Sequence, residues 1–232
     1  MWGPDLEKAL PGGIGGMKST RQGQACTADS RDYIQEKIYD KVLDGAVKKL
    51  SKLKMGNALD ENSDIGAIIS EAQLKRTLYY MDIAKKNSST KILYGGNQSK
   101  GGEYKEGFYY EPTLLSGLPV SSPVCQEEVF GPVACAIPFK SFDEVMKSAN
   151  DTQFGLSAVL WTKDLSRALQ FVDEIEAGFV QVNQCVAPRA NVSYGGIKMS
   201  GLGKEYAFDS MMNHFTQSKT VLINRGKSNI DN

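Results

Sequence analysis

Cys26 stands in the stretch GQACTADSR, among small and polar residues, where a cysteine kept for packing would have apolar neighbours. Two readings fit the stretch taken alone: a partly buried thiol, or a nucleophile open to close approach by another molecule. The other cysteines, Cys125, Cys135 and Cys185, lie far apart with no C-x-x-C spacing. Neither a disulfide framework nor a zinc cluster is expected, and the usage fits a reducing cytoplasm. His214 is the single histidine, so a multi-histidine metal centre within the chain is excluded and a Cys–His dyad would have to use that residue. A second stretch, QEEVFGP (126–132), sets two adjacent acids beside an aromatic residue and a Gly-Pro turn. In an α/β sheet, ligands gather where strands run out into loops. There a carboxylate can accept both hydroxyls of a ribose and Phe130 can pack on a flat ring; a solvated acid pair ahead of a turn fits the same residues. YGGIKMSGLGKE (194–205) has neither the G-x-x-x-x-G-K-[ST] order nor a G-x-G-x-x-G after a strand, and no strand precedes PGGIGG (11–16). Neither is read as a phosphate loop; the first suits a tight loop shaped for packing or ligand access.

These residues need a scaffold, and the chain alternates the elements of one. With 232 residues, 27 basic and 27 acidic side chains, it can bury a sizeable core and carries no field that would recruit nucleic acid or an anionic membrane. No apolar run has membrane-spanning length, and the start lacks a signal-peptide pattern. A helix is expected over 5–17 despite Pro11 and four glycines, then a strand in SRDYI. The next helix is set by Ile38, Val42, Ala46 and Leu50 at helical spacing, and another covers 70–86. A strand in TKILYGG, a surface hairpin in NQSKGGEYKEG, and strands in FYYEPTLLSG and GPVACAIPFK follow. Ser141 caps a helix in SFDEVMKSAND; LSAVLWTK, the helix DLSRALQFVDEIEA and GFVQVNQ repeat strand–helix–strand; a last helix and the strand KTVLIN close the chain. The expected fold class is α/β, one principal domain with a mainly parallel open sheet and helices on both faces.

In the same order, GQACTADSR, EEVFGPV about a hundred residues on, and GFVQVNQ with YGGIKMSGLGKE resemble the catalytic half of the NAD(P)-dependent aldehyde dehydrogenase superfamily. DLEKAL, SRDYIQEKIYDKVLD, GNALDENSDIGAIIS, GFYYEPTLL and KTVLIN extend the resemblance from about Asp5 to Asn224. It implies that Cys26 adds to an aldehyde to give a thiohemiacetal, which becomes a thioester after hydride transfer and is then hydrolysed, with the Cys26 N–H as an oxyanion donor. It also implies that Glu128 holds the nicotinamide ribose and Phe130 positions that end of the cofactor. Asn183, Cys185, Arg189 and Tyr194, with the loop 193–201, would wall the substrate tunnel. Arg189 can meet a substrate carboxylate, as of a semialdehyde, or form a surface salt bridge, and Cys185 is a candidate for an oxidative disulfide with Cys26. Family members begin with a cofactor-binding domain and an E-L-G-G segment bearing a general base, and MWGPDLEKAL starts just downstream of it.

The resemblance therefore implies half an enzyme (an excised domain, a truncated product or one subunit of a split dehydrogenase) that needs a separate cofactor-binding part for activity. Its cofactor is NAD or NADP, of which this chain would hold only the nicotinamide-ribose end. Residues 1–217 would form the catalytic domain. Residues 218–232 would form a C-terminal oligomerisation strand and polar tail, so a homo-oligomer is expected. The competing class is a non-catalytic family remnant that acts in assembly.

Overall fold

The computed structural model describes residues 5–224 and 226. Helix α1 (Leu6–Gly16) leads into the Cys26 loop, and β1 (Arg31–Gln35), α2 (Tyr39–Leu50), α3 (Glu71–Lys86), β2 (Lys91–Tyr94), β3 (Thr113–Ser116), the short α4 (Pro123–Gln126) and β4 (Val133–Phe139) follow. The chain continues through α5 (Phe142–Asn150), β5 (Phe154–Gly155), β6 (Ser157–Leu160), α6 (Leu165–Glu174), β7 (Phe179–Val182), β8 (Ile197–Lys198) and α7 (Phe208–Phe215).

Side-chain alternation along β4 explains how the sheet is covered. Val133, Cys135 and Ile137 pack with Leu74, Tyr80, Met81 and Ala84 of α3. Ala134 and Ala136 point the other way, into a cluster with Val42, Ala46 and Leu50 of α2. A central strand apolar on both faces is the pattern of a sheet sandwiched between helices. Its order is β1-β4-β3-β2, parallel at β1–β4 and β3–β4 and antiparallel at β2–β3. β6 and β7 form a separate parallel pair, and β5 and β8 a short antiparallel one. The parallel strands thus fall into two ladders rather than one continuous sheet, and the second ladder packs on α5 and α6 through Phe142, Met146, Leu160 and Phe171.

Helix α1 forms although its sequence is a poor helix former. The Asp5 carboxylate caps the Glu7 N–H, and the glycines are used for close packing. A Cβ on Gly12 would lie 2.0 Å from the Trp161 indole, and one on Gly16 1.7 Å from the Asp29 carboxylate. Tertiary contact overrides propensity here. The expected Ser141 cap is a full capping box, with the Ser141 side chain on the Glu144 N–H and the Glu144 side chain returning to the Ser141 N–H. The NQSKGGEYKEG excursion is closed by an antiparallel bridge between Gln98 and Tyr110 and turns through a 3-10 segment, Gly102–Tyr104.

The C-terminal strand expected in KTVLIN is not shown. Among the described residues, 216–224 join no ladder, and Val221, Leu222 and Ile223 are exposed. The polar tail lies almost wholly outside the described residues. Among the described residues, no helix is long and apolar enough to cross a membrane.

Candidate active site

The Cys26 loop is built to bring a thiol to the surface on a fixed frame. After α1, Lys18 and Gln22 take left-handed backbone angles around a 3-10 turn, Ser19–Arg21, and reverse the chain. Gly23 also has positive φ, and a Cβ there would stand 2.1 Å from the Gly131 carbonyl oxygen. Only glycine lets this loop dock on the backbone of the EEVFGP segment. The Gln24 side-chain oxygen accepts the Ile69 N–H at 3.1 Å, tying the loop to the entry of α3. The Ala28 N–H then donates to the Ala25 carbonyl at 2.9 Å, closing a tight turn with Cys26 and Thr27 at its centre. Cys26 is exposed, and among the described residues the N–H groups of Cys26 and Thr27 have no protein acceptor.

The EEVFGP segment is fixed from α3. The Gln73 amide donates to the carbonyls of Val129 (3.0 Å) and Phe130 (2.7 Å), and the Arg76 guanidinium donates to that of Glu128. Phe130 is held at positive φ by these bonds. The two acids of the pair are then distinguished. Tyr80 donates its hydroxyl to the Glu127 carboxylate at 2.7 Å, and burial together with this bond pushes the Tyr80 phenol up to about 12. The Glu128 carboxylate has no partner among the described residues. A cavity of about 480 Å³ lies between the two parallel ladders, and Cys26, Glu128, Phe130, Phe154 and Met199 share its wall.

From the glycine-rich loop, the Tyr194 hydroxyl comes within 3.2 Å of the Cys26 sulfur. Backbone bonds between Tyr194 and Glu205 in both directions, at 3.0 and 2.7 Å, hold that loop. The Lys204 ammonium donates to the carbonyls of Gly195 and Gly196 and braces the same loop.

The remaining candidates lie apart from the cavity wall. Asn183 clasps Thr162, accepting its N–H at 2.9 Å and donating to its carbonyl at 2.8 Å, which leaves the amide committed to the backbone. Cys185 accepts from the Lys18 ammonium at 3.6 Å, and burial raises its thiol above the ordinary range. Arg189 is exposed and forms no ion pair among the described residues. His214 packs its ring against Gly203 and is not on the cavity wall.

Two residues on that wall were not singled out from the sequence. Asp29 is pushed up to about 7 by burial, against the pull of Lys18, and Asp32 to about 8 by burial and by Asp29. The available signal was an acid at each end of DSRD, at the entry to an otherwise apolar strand.

With this geometry in hand, comparison with known proteins is informative. Residues 3–221 match the family model described as "Aldehyde dehydrogenase family". An aldehyde dehydrogenase of Deinococcus radiodurans is 39% identical over 218 residues, covering 94% of this chain and 41% of that protein. Aldehyde dehydrogenase B of Escherichia coli is 37% identical, covering 94% of this chain and 42% of its own length. The NAD+ complex of an aldehyde dehydrogenase from Bacillus cereus superposes with a TM-score of 0.91 at 30% identity, over 97% of this chain and 45% of that one. The chain thus spans about two fifths of the curated relatives it matches. With sequence and fold in agreement over nearly its whole length, the chain belongs to the aldehyde dehydrogenase family.

Proposed function

We propose that this chain supplies the nucleophile and the nicotinamide-ribose contacts for the NAD(P)-dependent oxidation of an aldehyde to a carboxylic acid. The observation that carries the reading is the exposed Cys26 on a tight turn with unpaired N–H groups, on the same cavity wall as the unpartnered Glu128 carboxylate. Cys26 gives up its proton and its sulfur bonds to the aldehyde carbon, forming a thiohemiacetal. The carbonyl oxygen becomes an oxyanion, and the Cys26 N–H, with no protein acceptor, is its donor. NAD or NADP, when bound, would accept the hydride that leaves the thiohemiacetal carbon, which thereby becomes a thioester on Cys26. Glu128 would take the ribose hydroxyls and Phe130 would pack on that end of the dinucleotide. Water then cleaves the thioester, releasing the acid and restoring the thiol.

The adenosine contacts and the hydrolytic base are assigned to a separate cofactor-binding part, and the chain alone is expected to turn over poorly. We place the protein in the cytoplasm. We also propose that it forms a homo-oligomer through residues 218–232, to be checked by light scattering before and after their deletion; a dimer that survives the deletion would rule out this face.

The chemistry is tested with p-nitrophenyl acetate. The 232-residue chain should release a slow burst of up to one p-nitrophenolate per chain, and Cys26→Ala should remove it. No burst from the parent chain would favour a non-catalytic role in assembly.

A further inference from the structure

We propose that the Tyr194 hydroxyl is the hydrogen-bond partner that fixes the direction of the Cys26 sulfur and donates to it once the sulfur is charged. The proposal rests on the reading of Cys26 as nucleophile and gives its activation a named group within the chain. Phenol oxygen and sulfur are 3.2 Å apart, inside hydrogen-bond range for sulfur. The phenol is not free to swing away. Its ring meets Phe179 edge-on at 5.4 Å and Tyr206 edge-on at 5.7 Å, and its backbone is locked to Glu205 by a pair of hydrogen bonds. Quadrupoles favour these edge-to-face contacts, so the aromatic cluster sets the place of the phenol oxygen.

Either atom can donate while the thiol keeps its proton; once the sulfur is charged, the phenol is the donor. Burial and the contact with Cys26 both raise the Tyr194 ionisation, so the oxygen keeps its proton at any working pH. A protonated phenol facing sulfur stabilises the charged sulfur more than the neutral one, because hydrogen bonds to an ion are the stronger. Cysteine nucleophiles elsewhere are activated by an adjacent base or cation. Among the described residues His214 is exposed and off the cavity wall and the Lys18 ammonium donates to Cys185, so the phenol is the side chain hydrogen-bonded to the sulfur.

The test compares the full chain with Tyr194→Phe, which keeps the ring in its aromatic cluster and removes one oxygen. Both are alkylated with iodoacetamide between pH 6 and pH 10, and each cysteine peptide is quantified by mass spectrometry. Losing one hydrogen bond should slow Cys26 at pH 7 by roughly three- to tenfold, with the deficit closing towards pH 10, where thiols ionise unaided. Cys185 serves as the internal standard and should not change. Tyr206→Phe, which touches the Tyr194 ring but not the sulfur, should also leave the Cys26 rate unchanged.

Equal Cys26 rates in parent and Tyr194→Phe across the pH range would overturn the proposal. So would faster alkylation in Tyr194→Phe, or an equal slowing in Tyr206→Phe. If Tyr194→Phe opens the core, newly reactive Cys125 and Cys135 report it. The comparison then uses 3-fluorotyrosine at position 194, a stronger donor of the same shape, for which a rise in the Cys26 rate supports the proposal and a fall overturns it. Alkylation uses neither ester nor cofactor, so its result is independent of the p-nitrophenyl acetate burst: either can fail while the other stands.

Discussion

At Glu127 and Glu128 one hydrogen bond separates two chemically identical side chains. Both line the cavity, but Tyr80, delivered by α3, engages the first carboxylate and leaves the second without a partner among the described residues. From the sequence the pair reads as two equivalent acids, and only the family resemblance prefers Glu128; the discriminating tyrosine is 47 residues away from Glu127 and its role depends on the packed helix. Asp29 and Asp32 were illegible for the same kind of reason, since burial is what makes them unusual. Both have folded-state values raised above that of an exposed aspartate, to about 7 and about 8. At these two groups the folded chain therefore holds more protons than the unfolded one between about pH 4 and pH 8, so their contribution to stability is fully present at the acid end and falls as pH rises through that window. Denaturant midpoints should be higher at pH 5 than at pH 8, and the Asp29→Asn/Asp32→Asn double variant should flatten the slope. An unchanged slope in that variant would show that other groups set it.

At the scale of elements, apolar periodicity was enough to place α2 and the Ser141 cap to place α5, whereas α2 begins without a side-chain cap, straight after a 3-10 turn. The Cys26 loop was legible only as a suggestive composition. Its geometry depends on the approach of Gly23 to Gly131, two residues 108 positions apart that no local pattern connects. Gly23→Ala sets a methyl group against a carbonyl oxygen at a positive-φ position, so the loop must lift off the EEVFGP segment. The expected result is a loss of about 1–3 kcal/mol of stability in urea titrations, with Cys26 ester chemistry falling at least tenfold because the thiol leaves its frame. Unaltered stability and burst would mean that the two loops do not meet. KTVLIN shows the converse limit. Its residues suit a strand, yet a strand forms only against an edge, and among the described residues 216–224 join no ladder.

For the whole molecule, two parallel ladders leave between them the cavity that collects Cys26, Glu128 and Phe130, and helix α7 and the following segment turn Phe208, Phe215, Leu222 and Ile223 outward. Such a run of exposed apolar side chains suits a partner surface, in keeping with the proposed oligomer. Of the four free cysteines, the proposed function needs one as nucleophile. Cys125 and Cys135 are buried in the core, Cys185 is half-buried beside Lys18, and Cys26 alone is exposed. The most direct measurement is to quench the p-nitrophenyl acetate reaction in acid within its burst phase and map the acetyl group by peptide mass spectrometry. The expected result is an acetyl thioester confined to Cys26, absent from the Cys26→Ala chain and released on further incubation; an acetyl group found on Cys185 or on lysines, with Cys26 unmodified, would contradict the account.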